Sequence, residues 1–306
     1  MHVAEVTAFG GPEVLQLAER PDPAPRPDEV VVRIRAATVN PTDLSVRSGQ
    51  ARQRLPELEP PFVPGWDLAG EVTAVGSEAT GLHPGDRVLG MIPFGRIGGR
   101  VGAYAQAAAL DPGWLAPLST DLDDASAATL PLNALTARQA LDMIGAPPGA
   151  TVLVTGASGA VGGFATQLAV REGLRVLAQA SHEDEDWVAS LGATEVLSRD
   201  TDLATIGPLD AVLDAVPLGP DSTAALRDGA VAVFTRPPRG AEPPRGLRFE
   251  TVLVQSNAEQ LRALTADLEA GRLRTRVAEV LPLAQAARAH ELAEAGGLRG
   301  KVVLAP

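Results

Sequence analysis

Gly156, Gly159 and Gly162 recur at three-residue spacing in Thr155-Gly156-Ala157-Ser158-Gly159-Ala160-Val161-Gly162. They stand directly after the apolar run Thr151-Val152-Leu153-Val154 and open a helical stretch from Ala160 to Glu172. Glycines placed so allow a tight turn, let a phosphate approach the backbone and pack the helix close to the strand, while the helix N-terminus offers unpaired N–H groups. The turn is therefore expected to hold a dinucleotide pyrophosphate through Gly156, Ala157, Ser158, Gly159, Ala160, Val161 and Gly162.

Two other chemistries use similar turns. Gly156-Ala157-Ser158-Gly159-Ala160 is one glycine short of a hydrolase nucleophile elbow, and Ser158, Asp214 and His290 follow the chain order of such a triad. An elbow leaves Gly162 unexplained, and His290 falls on an amphipathic helix whose outer face it can occupy without a role. The turn is also similar to that of short-chain dehydrogenases, but these need a Tyr-x-x-x-Lys dyad, and Tyr104 and Lys301 are the only tyrosine and lysine. The nucleotide reading is preferred. About twenty residues on, the second strand ends at Gln179-Ala180-Ser181 without the acid that a free ribose 2′-OH would call for. Ser181 can donate to a 2′-phosphate, and the run Glu183-Asp184-Glu185-Asp186 reads as an exposed first helical turn, where acids favour the dipole. The expected cofactor is NADPH.

The elements that position this turn change in kind along the chain. The first third reads as short strands broken by Gly and Pro: Val30–Ala36, Gly70–Gly76, and Arg87–Gly90 after the turn His83-Pro84-Gly85-Asp86. Such strand and turn density suits a compact β-barrel. From about Asp121 the pattern becomes helical, with Ala125–Met143 interrupted by Pro131. Strands then alternate with helices at Thr151–Val154, Ala160–Glu172 and Arg175–Ala180, with further strands at Ala211–Leu213 and Ala230–Phe234. This predicts a doubly wound parallel sheet covered on both faces. The tail reads as helix Ala258–Ala270, strand Val277–Val280, helix Ala284–Ala295 and strand Lys301–Leu304, and Pro237–Gly246 as a surface loop. We expect a substrate domain of residues 1–118 and 258–306 and a dinucleotide-binding domain of residues 119–257.

A formal net charge of −12 opposes nucleic acid and anionic membrane as partners, since the arginines are scattered rather than clustered. The absence of cysteine removes disulfides, thiolate nucleophiles and Cys-rich zinc sites. Met1-His2-Val3-Ala4-Glu5 has neither a basic nor an apolar leader segment, and no apolar stretch is long enough to span a membrane. A cytoplasmic protein acting on a small-molecule substrate is expected.

With these residues placed, the chain resembles the medium-chain dehydrogenase/reductase superfamily, specifically its zinc-free quinone oxidoreductase branch. The resemblance rests on Pro64-Gly65-Trp66-Asp67-Leu68-Ala69-Gly70-Glu71-Val72, Gly81–Val88, Leu130-Pro131-Leu132-Asn133-Ala134-Leu135-Thr136-Ala137, Leu191-Gly192-Ala193 and Gly300-Lys301-Val302-Val303-Leu304. It implies an α/β protein with a GroES-like β-barrel substrate domain and a Rossmann cofactor domain, and a homodimer formed edge to edge through the cofactor-domain sheets. It also implies that Thr136 meets the nicotinamide and that Arg199 reaches the adenosine phosphate, where a guanidinium matches phosphate oxygens. Asp214, Val216 and Phe234 complete the candidate cofactor contacts. No metal site is expected: His2, His83, His182 and His290 do not cluster, and Trp66-Asp67 stands where zinc-dependent relatives carry a ligating His-Glu pair, so Asp67 reads as structural.

The segment Asn40-Pro41-Thr42-Asp43-Leu44-Ser45-Val46-Arg47-Ser48-Gly49 resembles the family's active-site segment, with Ser45 where relatives often carry Tyr or Lys. Serine is a poor general acid at neutral pH, but hydride transfer needs only proximity and orientation. Asn40 and Ser45 are the catalytic candidates, as donors to a substrate carbonyl that stabilise a developing enolate. Three functions follow: an NADPH-dependent reductase of quinones or α,β-unsaturated carbonyls, which we prefer; a family member performing a non-redox step such as a cyclisation, which the missing acid favours; or a cofactor-binding structural protein.

Overall fold

Short apolar runs separated by turns bearing Gly and Pro mark the first part of the chain, and strands form there. The computed structural model describes residues 1–119, 122–236, 238 and 242–306. The first half contains β1 (His2–Val6), β2 (Leu15–Glu19), β3 (Val30–Thr38), α1 (Pro41–Arg47), β4 (Asp67–Val75), β5 (Arg87–Met91), β6 (Ala107–Leu110), β7 (Leu115–Pro117) and α2 (Asp124–Ala128). Then come α3 (Pro131–Ile144), β8 (Thr151–Thr155), α4 (Ala160–Arg171), β9 (Arg175–Ala180), α5 (Glu185–Ser190), β10 (Glu195–Ser198), β11 (Leu209–Asp214), β12 (Leu226–Phe234) and β13 (Arg248–Thr251). The tail is α6 (Ala258–Glu269), β14 (Val277–Pro282), α7 (Ala286–Ala295) and β15 (Lys301–Ala305).

These elements form two compact units. The first comprises Met1–Leu132, Ser256–Arg272 and Arg276–Pro306. Its seven-stranded sheet runs β14-β15-β3-β4-β5-β7, with β6 on the free part of β3. β3 is the spine: register shifts between Val31 and Val32 and between Ile34 and Ala36 bend it against β4, the curl a barrel-like sheet needs. Ile34, Leu68, Leu89, Leu110 and Leu115 fill its core.

The second unit comprises Asn133–Gln255 and Leu273–Thr275. Its six strands run β10-β9-β8-β11-β12-β13, and every pair is parallel. This is the doubly wound Rossmann order, reversing between β8 and β11, and ligands bind such sheets outside the carboxyl ends of the strands at the reversal. Thr155 and Asp214 are those ends. Leu153, Leu177, Val212, Ala232 and Phe234 form the apolar core.

The units divide differently from the sequence expectation at residue 118. Residues of α2 and the start of α3 group with the barrel, because Ala127 and Ala128 are buried and α2 packs on β3 and β4. Arg274 joins the parallel-sheet unit because its N–H donates to Gln167 Oε1 at 2.7 Å and its guanidinium lies 4.7 Å from the Trp187 ring centre. Pro131 splits the expected helix 125–143 by starting α3, where a missing N–H costs nothing. Of the expected loop 237–246, Pro237, Arg239, Gly240 and Ala241 lie outside the described residues. Among the described residues, no helix is long and apolar enough to cross a membrane.

Candidate functional site

Each unit carries one constellation of interest. In the parallel-sheet unit, Gly156 ends β8 with φ at +61°, and a side-chain carbon there would stand 2.5 Å from Val216 Cγ1. At Gly162 such a carbon would come within 2.3 Å of the Gly156 carbonyl oxygen. Both glycines are required for the turn to close. Gly159 differs: it caps α4 with φ −79° and ψ 171°, and an added carbon would meet only the Gly156 oxygen, at 3.2 Å. The space in front of Gly159 is open, and α4 begins behind it with the N–H groups of Ala160, Val161 and Gly162 lacking intrahelical acceptors. The cradle suits a pyrophosphate, with backbone N–H donors at the head of α4 and no side chain at Gly159 itself.

Several expected cofactor residues are placed otherwise than the sequence implied. Asp214 is buried: Oδ1 accepts from Thr155 Oγ1 at 2.6 Å and Oδ2 from Gly219 N at 2.8 Å. It clamps β8 to β11 and folds the Val216–Gly219 loop, so its side chain serves the site indirectly. Phe234 is fully buried, 5.2 Å from Phe249, and only its backbone can face a ligand. Val216 packs against Gly156. Ser181 Oγ donates to Asp184 Oδ2 at 3.2 Å, and Asp184 is buried rather than on an exposed first turn; the expected serine donor is thus partly taken up by an acid. Arg199 follows β10 exposed, its carbonyl accepting from Gln179 Nε2 at 3.4 Å. Thr136 is buried on α3.

In the barrel unit, strand register assembles a polar network that spacing did not reveal. Thr38 pairs with Asp67 across β3 and β4, and with Val303 across β3 and β15. Continued by two residues, the second register sets Lys301 opposite Asn40, and Lys301 Nζ donates to Asn40 Oδ1 at 2.7 Å. Asn40 Nδ2 donates to Asp67 Oδ2 at 2.7 Å, Thr38 Oγ1 to the same oxygen at 3.0 Å, and Leu132 N to Asp67 Oδ1 at 2.7 Å. Asn40 N donates to Asp43 Oδ2 at 2.8 Å. Asn40 is thus the N-cap of α1 with its amide engaged on both sides, and this corrects its expected role as a donor to substrate. Ser45, on the same helix, is half-buried, and its hydroxyl makes no hydrogen bond among the described residues.

Burial pushes the Asp43 carboxyl up to about 8, with the Asp67 charge adding to the effect. It pushes Asp67 up to about 6 against four hydrogen-bonding or charged partners, and Lys301 down to about 8. Since Asp43 titrates at 3.8 in the open chain, the folded state binds the extra proton between those values. Its contribution to stability is full below 3.8 and is lost as pH rises through about 8. Asp43→Asn keeps an acceptor for Asn40 N–H and removes this titration. It is expected to lessen the fall in melting temperature between about pH 5 and 8, which thermal melts across that range would check; an unchanged slope contradicts the assignment.

The far end of α1 is held by a second buried group. Arg47 pairs with Glu294 and lies 3.4 Å from His290 Nδ1, while His290 Nε2 lies 3.1 Å from the Tyr104 hydroxyl. His290 therefore faces inward from α7, not outward, because both ring nitrogens have partners there. Burial and Arg47 push its pKa down to about 3, so the ring is neutral. Arginine can only donate, so Nδ1 accepts and Nε2–H points at Tyr104. A histidine so committed cannot activate Ser158, and the hydrolase alternative loses its base. Among the described residues no group of three or more His, Asp or Glu is placed to hold a metal ion.

The alcohol dehydrogenase GroES-like domain model matches residues 26–120, and the zinc-binding dehydrogenase model residues 191–304. A quinone oxidoreductase of Sus scrofa is 32% identical over 329 residues, covering 99% of this chain and 97% of the relative. The chloroplastic NADPH-dependent alkenal/one oxidoreductase of Arabidopsis thaliana is 32% identical over 309 residues, covering 97% of this chain and 78% of the relative. Among solved structures, the quinone oxidoreductase from Coxiella burnetii matches with a TM-score of 0.88 and 29% identity over 100% of this chain and 99% of that one. A GroES-like barrel and a parallel sheet of this order in one chain define a medium-chain dehydrogenase/reductase, a nicotinamide-dependent oxidoreductase. Within that superfamily the chain belongs to the quinone oxidoreductases.

Proposed function

We propose that the protein is an NADPH-dependent, zinc-independent reductase of quinones or α,β-unsaturated carbonyls. The observation that carries this reading is the open face of Gly159 at the head of α4, framed by two glycines that the turn cannot replace. When bound, the nicotinamide supplies hydride to the electron-poor carbon of the acceptor. The glycine turn binds the pyrophosphate, and Thr136 orients the nicotinamide. Ser45 donates a hydrogen bond to the acceptor's carbonyl oxygen, which gains negative charge as hydride arrives. Solvent supplies the proton, since a serine hydroxyl is too weak an acid to deliver it at neutral pH. Zinc independence is supported by the absence of cysteine and by the full engagement of Asp67 with Thr38, Asn40 and Leu132. A homodimer is supported by the edge strand β13 and by Leu253 beyond it, 75% exposed.

NADPH is favoured over NADH by the exposed Arg199 guanidinium, and a relative's name states the same dependence. Asp184 opposes it. Titration is expected to give tighter binding of NADPH, Arg199→Ala should erase the preference, and Asp184→Asn should strengthen it. Equal dissociation constants for the two nucleotides would remove the argument. Turnover should also survive exhaustive chelation; stoichiometric zinc retained by the purified protein would overturn the metal-free reading. Tight NADPH binding without oxidation by any quinone or enone would favour the non-redox alternative.

A further inference from the structure

The single lysine of the chain lies on the last strand, far in sequence from every glycine of the nucleotide turn. Its ammonium group can only donate, and the Asp67 carboxylate at neutral pH can only accept. Asn40 stands between them, taking Lys301 Nζ on its oxygen and giving its NH2 to Asp67, each at 2.7 Å. Only one orientation of the Asn40 amide satisfies both neighbours. That orientation aims the amide at Asp67 Oδ2 and leaves Asp67 Oδ1 for Leu132 N, the second residue of α3. The Asn40 main chain meanwhile caps α1, with Asp43 closing on its N–H at 2.8 Å.

We propose that Lys301 is a positioning residue: by fixing the amide of Asn40 it holds Asp67 against the first turn of α3 and holds the N-terminus of α1, so that the helices bearing Thr136 and Ser45 keep their places. The assignment of those two side chains rests on the reductase reading above. Lys301 acts through Asn40, and no contact of its own with cofactor or acceptor is assigned to it. Losing it leaves the Asn40 oxygen without its charged donor and the Asp67 carboxylate without its buried counter-charge. The Asn40 NH2 stays turned to Asp67 Oδ2 and the Thr38 carbonyl, at 2.7 and 3.4 Å, so the loss falls on the buried amide oxygen and loosens the clamp from that side.

The network also specifies its own rescue. With Asp67→Asn added to Lys301→Met, both charges are gone. A turned Asn40 can offer its oxygen to the NH2 of the new amide, while that amide's oxygen still accepts from Leu132 N. The two substitutions should therefore be strongly non-additive.

The test uses the full-length protein and the variants Lys301→Met, Lys301→Arg and Lys301→Met/Asp67→Asn. Hydrogen exchange is followed over residues 38–47 and 129–136, with NADPH affinity and steady-state kinetics alongside. In Lys301→Met, exchange should quicken by about tenfold or more in those two segments alone. kcat should fall about 10- to 100-fold, as misplacement of reacting groups predicts. NADPH affinity should stay within about twofold, because the pyrophosphate is held by the glycine turn. Lys301→Arg, which keeps a pure donor, should recover most of the protection and rate, and the double variant part of both, since its turned Asn40 leaves its NH2 facing the methionine. Unchanged exchange in Lys301→Met, or a double variant as damaged as the sum of its parts, overturns the proposal. If Lys301→Met does not fold, a folded double variant with protected segments supports the proposal, and a double variant that also fails to fold contradicts it. A wild-type protein that oxidises no NADPH would defeat the reductase reading, while hydrogen exchange would still decide the role of Lys301.

Discussion

Gly159→Val is expected to abolish NADPH binding, a loss of more than about 100-fold in affinity, while the melting temperature stays close to that of the unaltered protein. The backbone at this position has φ −79° and ψ 171°, which any residue adopts, and a first side-chain carbon meets only the Gly156 oxygen at 3.2 Å. A branched side chain asks the Gly156 carbonyl to give by a few tenths of an ångström, and stands in the open space before the first N–H groups of α4, where a phosphate must approach. Gly156→Val is the informative contrast. With φ at +61° and Val216 Cγ1 at 2.5 Å, it should damage folding as well as binding. Ser158→Ala should be mild, since the turn works through backbone amides. A serine hydrolase would respond in the opposite order. Nucleotide titration and thermal melts of the three variants separate these cases, and undiminished NADPH binding by folded Gly159→Val would remove the cradle from the account.

Asp67→Ala should be the most destabilising single change in the barrel unit, at about 3–5 kcal/mol, the usual cost of breaking a buried charged network by removing one partner. The substitution takes the acceptor from Leu132 N and Asn40 Nδ2, leaves Thr38 Oγ1 only the Ala128 carbonyl, and removes the Asp67 charge that favours the Lys301 ammonium. Asp67→Asn keeps one acceptor and nearly the same volume, so it should cost markedly less. Urea unfolding of both variants checks this. An Asp67→Ala protein as stable as the unaltered chain would show that the network does not hold the barrel together.

The two-part α/β architecture was legible because local signals agreed: short strands broken by Gly and Pro in the first third, βαβ alternation later, and a glycine turn in the one context that gives it meaning. Elements without such signals escaped. β10 and β13 are four residues each and have exposed faces, so neither shows a long apolar run. α1 was readable in principle, since Asn40-Pro41-Thr42-Asp43 places a cap, a first-turn proline and an acid in order, yet a seven-residue helix leaves too short a periodic trace. The polar network was beyond reach for a different reason. Lys301 and Asn40 are 261 residues apart, and only the β3–β15 register makes them neighbours. His290 misled because its helix pattern allowed either face, and the choice is made by Tyr104 and Arg47. Ser181 misled because its partner Asp184 turns inward over one 3-10 turn.

The most direct test of the whole account follows the nicotinamide absorbance of NADPH mixed with the purified protein and a panel of quinones and enones. Acceptor-dependent oxidation that persists after chelation and vanishes in Gly159→Val is the expected result. Failure to bind NADPH, or oxidation undiminished in that variant, would contradict it.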